Sequence, residues 1–192
     1  MSNSKPLRAD AQRNRDAIVA AARKVFDEGD YDLRFDDFAA LAGVGTGTLY
    51  RHFPSREVLA AAVYRGEITA LSERANFLGQ TMAPDLALGT FLREMVDHMQ
   101  AHQGLARTLA RLTGAIPAEL AEGSQALEKA VENLVAAAIR DGSIRDDVRA
   151  GAIMMAMHGV GAALDRPDWR NEADDLMVLL IGGLRQPRSE TA

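Results

Sequence analysis

Between Arg34 and Arg56 the chain gathers side chains that donate hydrogen bonds to anionic oxygen. They are the guanidinium groups of Arg34, Arg51 and Arg56, the hydroxyls of Thr46, Thr48 and Tyr50, and the imidazole of His52. A guanidinium forks onto a phosphate, and hydroxyls and imidazoles add single bonds, so the set suits a polyanion better than a covalent reaction. Thr methyls suit the C5-methyl of thymine, and Gly47 between the two threonines permits close approach. Support for catalysis is lacking: there is no Cys, and no Ser/His/Asp set, zinc-protease motif or carboxylate pair stands at informative spacing. Gly43-Val-Gly45-Thr-Gly47 invites comparison with a nucleotide loop, but no strand precedes it and the phosphate-loop Lys is missing.

A second chemistry is conceivable at His98 and His102, which stand i, i+4 with Glu94 one turn earlier, a spacing able to hold a divalent metal. No third ligand is tied to them by sequence, so the expectation is no metal, no cofactor and no enzyme, with the two histidines lining a ligand cavity. Met95, Met99 and Met154 offer adaptable apolar wall for it, and Arg107, Arg111, His158 and Trp169 polar grip.

The donors need a frame. Phe35, Phe38, Ala39 and Ala42 fall at i, i+3, i+4 and i+7, one apolar face of a helix. Asp36 and Asp37 sit in its first turn, where the helix dipole favours anions. Gly43 offers the left-handed conformation of a helix stop. A second helix can begin at Thr46 or Gly45 as N-cap, with Leu49 and Phe53 inward and Thr48, Tyr50, Arg51 and His52 around the rest. Two helices about a Gly-containing turn, the second with exposed basic and hydrogen-bonding groups, is the requirement of a helix-turn-helix reader of duplex DNA. The N-terminal residues of such a helix, Thr46, Gly47 and Thr48, lie nearest the bases.

The rest of the chain agrees. Its 192 residues carry a net charge of −5, unevenly spread. Six basic groups face two acidic ones in residues 1–24, whereas residues 66–192 hold twelve basic against eighteen acidic. A basic front and an acidic body fit a DNA-binding head joined to a part with another task. The apolar fraction of 47% is mostly Ala, Leu, Val and Met, which favours helices. Residues 1–9 read as a flexible basic arm, and a first helix runs from about Asp10 to Glu28, stopped by Gly29, with Tyr31 and Leu33 packing the linker. Ser55 caps a long fourth helix through Val58, Leu59, Ala62, Val63, Ile68 and Leu71. No signal peptide or span-length apolar run is visible, so a cytoplasmic protein without membrane contact is expected.

At this point the run Phe38-Ala39-x-x-Ala42-Gly43-Val44-x-x-Gly47-Thr48-Leu49-Tyr50-Arg51-His52-Phe53-Pro54-Ser55-Arg56-Glu57-x-Leu59, with Tyr31 before it, resembles the N-terminal signature of TetR-family transcriptional regulators. The likeness covers roughly residues 13–60, and beyond it is architectural. It departs at Arg34, where a small hydroxyl residue is usual, and at Gly45, where a Ser cap is usual. The resemblance implies phosphate contacts from Tyr50 and His52. It also implies a homodimer through a four-helix bundle of the last two helices, a near-palindromic double-stranded DNA operator and a small-molecule effector.

Beyond the head the chain is helical throughout. Leu88, Phe91, Leu92, Met95, Met99 and His102 form a stripe ending near Gly104. A segment Leu105–Leu112 precedes a break at Gly114–Pro117, and a helix follows to Asp141. Two final helices, about Asp147–Leu164 and Glu172–Leu184, are apolar on more than one side. The expected fold is all-α, with a three-helix DNA-binding domain over residues 10–55, an effector-binding and dimerisation domain over residues 56–185, and a disordered tail over residues 186–192. The expected function is that of a regulator, a repressor released by its effector. The rival is a helical small-molecule or metal-binding protein, an enzyme included, that keeps the helix-turn-helix as scaffold.

Overall fold

Residues 4–28, 33–105 and 118–185 are described by the computed structural model, with side chains from residue 9 in the first stretch and from residue 124 in the last. The expectations for Gly29, Tyr31, Arg107, Arg111, the 114–117 break and the 186–192 tail fall outside these residues. Among the described residues eight helices have defined bounds, α1 (Ser4–Glu28), α2 (Asp37–Leu41), α3 (Thr46–His52), α4 (Arg56–Thr81), α5 (Pro84–Ala101), α6 (Ala118–Asp141), α7 (Ala150–Ala162) and α8 (Trp169–Leu184), and residues 103–105 are helical as well. Helix α1 begins at Ser4, inside the stretch expected as an arm. No helix among the described residues is long and apolar enough to cross a membrane.

These helices divide into two compact units, and the division does not follow chain order. Residues 4–28 and 33–67 join residues 102–105 and 118–121, whereas residues 68–101 join 122–185. The division therefore falls inside α4, between Glu67 and Ile68.

In the first unit α1 packs on both α2 and α3, and α2 packs on α3. Ile18, Ala22, Val25 and Phe26, spaced along one face of α1, are buried with Phe38, Ala39, Leu49, Phe53, Leu59, Ala60 and Val63. Leu105 completes that cluster from far along the chain. It is held there by the contacts of His102, three residues earlier. His102 Nδ1 lies 2.9 Å from Asp27 Oδ1 and its Nε2 3.4 Å from Glu67 Oε2, and the same carboxylate meets Arg23 Nε at 2.5 Å.

In the second unit α5 packs against α7 and α8. Ala87, Leu88, Phe91, Leu92, Met95 and Val96 form its buried face. The α6 helix is stopped by Gly142 just after it, whose φ of 75° lets the Ser143 N–H reach the Ala138 carbonyl at 3.1 Å. A short antiparallel bridge between Ile144 and Arg185 ties the start of the α6–α7 connection to the end of α8. On α7, Ile153, Met154, Met157 and Val160 are buried, but Met155 is 75% exposed. On α8, Trp169, Ala173, Met177 and Leu184 are buried, while Val178 and Leu179 are 67% and 72% exposed.

Candidate nucleic-acid interface

The turn between α2 and α3 decides how the donors are presented. Gly43 has φ of 67°, the left-handed conformation that lets two amides turn back onto α2. Its own N–H bonds the Ala40 carbonyl at 3.1 Å and that of Val44 bonds the Ala39 carbonyl at 2.9 Å, the paired bonds of a Schellman stop. Gly45, extended at φ −73° and ψ 148°, is the N-cap of α3. Its carbonyl receives the Thr48 N–H at 2.9 Å, which makes Thr46 the first helical residue and not the cap. Leu49 and Phe53 anchor α3 to the core at 0% and 1% exposure. The opposite face is thereby turned outward.

On that face Thr46, Gly47, Tyr50 and Arg51 are exposed and Thr48 is half-buried. A Cβ added at Gly47 would meet nothing within 4 Å, so this position is bare backbone on the outer surface. Arg51 folds back along its own helix, donating from Nε to the Gly47 carbonyl at 2.9 Å and from Nη2 to Thr48 Oγ1 at 3.2 Å. Tyr50 donates its hydroxyl to Asp36 Oδ1 at 2.8 Å, and its ring meets Phe35 edge-on at 5.4 Å. That bond raises the Tyr50 phenol above its ordinary value, with the nearby Arg34 charge acting in the opposite sense. His52 is half-buried, its ring 6.3 Å from that of Phe53.

The two flanking arginines differ. Arg34 is exposed, and its backbone N–H donates to Asp37 Oδ2 at 3.1 Å. Arg56 is half-buried at the start of α4, donates to the Leu33 carbonyl and lies over the Phe38 ring at 5.5 Å. It braces the linker before α2 as well as contributing charge. Ser55 caps α4 as the sequence suggested, its hydroxyl 3.4 Å from the Val58 N–H. The same hydroxyl holds the Glu57 carboxyl below its usual range.

The residues expected around an effector have differing surroundings among the described residues. Met154 and His158 line a groove of about 360 Å³ with Glu128, Glu132, Ala150, Gly151 and Met155. His158 Nδ1 sits 2.8 Å from the Met154 carbonyl, which fixes Nδ1 as the donor and leaves Nε2 as the acceptor of the neutral ring. Met95 is buried in the core, and Met99 packs against Gly161 of α7. His98 is half-buried on α5. His102 belongs to the first unit, on Asp27. Trp169 is a structural plug, 6% exposed, with its indole N–H donating to the Val160 carbonyl at 2.7 Å. Sequence reasoning missed Asp36 as the partner of Tyr50, because a 14-residue separation carries no periodic signal. It also missed the carboxylates of Glu128 and Glu132, which stand i, i+4 on α6.

Similarity to known proteins follows the same two-part division. The family described as "Bacterial regulatory proteins, tetR family" matches residues 18–63, and "Transcriptional regulator SbtR-like, C-terminal domain" matches residues 83–186. The TetR transcription regulatory protein from Mycobacterium vanbaalenii is similar in structure, with 30% identity and a TM-score of 0.73 over 94% of this chain and all of that one. The TetR transcriptional regulator SCO0520 from Streptomyces coelicolor shares 36% identity, with a TM-score of 0.69 over 91% of this chain and 99% of that one. Among curated relatives, HTH-type transcriptional regulator SAR0097 of Staphylococcus aureus (strain MRSA252) is 36% identical over 64 residues, 32% of this chain and 33% of its own length. The chain thus spans about one third of the length of the curated relatives it matches. With family matches over residues 18–63 and 83–186, and structural relatives matched over 99–100% of their length, the chain belongs to the TetR family of bacterial transcriptional regulators.

Proposed function

We propose that this chain represses transcription as a homodimer, each copy laying α3 in the major groove of a near-palindromic operator until a small-molecule effector binds the second unit. The supporting observation is α3 itself: a seven-residue helix pinned by Leu49 and Phe53, with Thr46, Gly47, Tyr50 and Arg51 exposed on its outer side. In this docking mode the first residues of the helix contact base edges, and Tyr50, His52, Arg34 and Arg56 serve the phosphates. Half-sites then lie one or more helical turns apart, roughly 34–36 Å per turn.

The exposed apolar side chains of α7 and α8, Met155, Leu176, Val178 and Leu179, supply the dimer face. An effector acts by binding one conformation of the chain better than another, and it shifts the balance by that difference alone. The groove lined by Met154 and His158 is where the second unit offers it both apolar wall and polar grip. Selection of bound sequences from a random duplex library tests the regulator reading. A two-fold symmetric motif should emerge, and Tyr50→Ala should weaken binding to it while the dimer persists. No enriched motif, or full affinity in that variant, would refute the assignment.

A further inference from the structure

We propose that Asp36 is a positioning residue that restrains DNA binding by holding the one proton a backbone phosphate needs from Tyr50. The inference rests on the regulator reading above. A phenol has a single O–H to donate, and a phosphate oxygen in a duplex only accepts. In this chain that O–H already points to Asp36 Oδ1, 2.8 Å away. The pair is locked from both sides. Phe35 holds the Tyr50 ring edge-on at 5.4 Å with an interplanar angle of 79°. Asp36 is fixed by its carbonyl, which accepts the Ala39 N–H at 3.1 Å, and its side chain makes no capping bond to α2. The raised phenol of Tyr50 agrees with a hydroxyl committed to a carboxylate.

Tyr50 is nevertheless 48% exposed on the face that carries α3. A phosphate that takes its proton must displace a charge-assisted bond and then sit beside a second negative charge. Every phosphate meets the same obstacle, because phosphates carry no sequence information. Asp36 therefore lowers affinity for operator and random duplex by the same factor. It keeps the chain from being held on unrelated DNA, and the ratio between the two affinities is left to the base contacts of Thr46, Gly47 and Thr48.

The test is a double-mutant cycle on the full-length protein, titrated with a selected operator and with a random duplex at fixed salt. Asp36→Ala should tighten both by about tenfold, the size of one regained hydrogen bond and one removed like charge. In a Tyr50→Phe background the same substitution should gain about threefold or less, since only the charge remains. Asp36→Leu, close in volume and without an acceptor for the phenol, replaces the alanine variant if that one fails to fold. A purely structural role for Asp36 would lower the melting temperature and weaken binding. Unchanged or weaker binding by a folded Asp36 variant, or an equal gain in both backgrounds, overturns the inference alone. Failure of the wild-type chain to bind any duplex overturns the regulator reading and takes this inference with it.

Discussion

Gly104 lies against the backbone at the end of α1: a Cβ built on it would stand 2.8 Å from the carbonyl oxygen of Asp27 and closer still to that of Phe26. Both obstacles are backbone atoms of a helix, which cannot swing aside as a flexible side chain does. Beside this contact Leu105 is 2% exposed in the core of the first unit, and His102 reaches the Asp27 carboxylate. The absence of one methyl group at Gly104 is what lets this helical segment settle there.

Gly104→Ala should therefore destabilise the protein by about 2 kcal/mol or more, as overpacking against unyielding atoms does. In a chain of this length 1 kcal/mol moves the melting temperature by about 2–4 °C, so a fall of roughly 5 °C is expected. Thermal unfolding by circular dichroism reads it. An unchanged melting curve would mean that the 102–105 segment does not sit on α1.

Phe38→Ala should open the helix-turn-helix core. Phe38 is fully buried, with the rings of Phe26 and Phe35 at 5.5 Å and 6.1 Å and the Arg56 guanidinium over its face. Removing a buried aromatic side chain costs about 3–5 kcal/mol, much of the stability of a typical domain. Hydrogen exchange should then show lost protection in α2 and α3, whereas protection there at the wild-type level would contradict the packing described.

The Tyr50–Asp36 bond makes a prediction in alkali. Its phenol is raised, so the protonated form is favoured in the fold. The stabilisation is present in full below the ordinary phenol value and is lost as pH rises through the raised one. Absorbance titration of phenolate formation in the wild type, with Tyr50→Phe as the difference reference, should show one late-ionising tyrosine. Asp36→Ala should bring that tyrosine back toward its usual value.

Acid should expose two ion pairs on the second unit. Arg145 holds the Asp147 carboxyl low, and Arg166 does the same for Glu172. A depressed carboxyl stabilises above its unfolded value and loses that contribution as pH falls through the folded one. Below about pH 4 the wild type should thus lose stability faster than Arg145→Met or Arg166→Met variants. The difference should shrink in about 1 M salt, because both pairs lie on the surface. Parallel acid limbs would show that the pairs contribute nothing.

The proposed dimer face is tested by Met155→Arg with Leu179→Arg. Both side chains are exposed, so neither change disturbs the core. Sedimentation should shift from dimer to monomer, and operator affinity should fall because a single head engages one half-site. A variant that sediments as the wild type does would move the interface elsewhere.

Much of the first unit was legible because its signals are local. Phe35, Phe38, Ala39 and Ala42 announce one helix face, and Gly43 announces the stop, through backbone rules that act over a few residues. The choice between Gly45 and Thr46 as N-cap needed coordinates, since both satisfy the propensity rule. The Tyr50–Asp36 pair and the seat of Leu105 were not legible, as each depends on elements far apart in the chain. The surroundings of the apolar residues in the second unit were the least legible. Met95 and Trp169 have the composition of a ligand wall but are spent on core packing, which periodicity cannot distinguish.

Because Leu105 reaches the first unit from beyond α5, the reading head is not a contiguous piece of the gene. A fragment that stops at the end of α3 or α4 leaves a leucine-sized hole in the cluster that includes Ile18, Phe26 and Leu59. A hybrid made by splicing this head onto another relative's body at α4 inherits the same hole unless the donor brings its own leucine and glycine to the matching turn. Exchange of sensing bodies, by recombination or by engineering, is therefore limited to partners that carry a compatible plug.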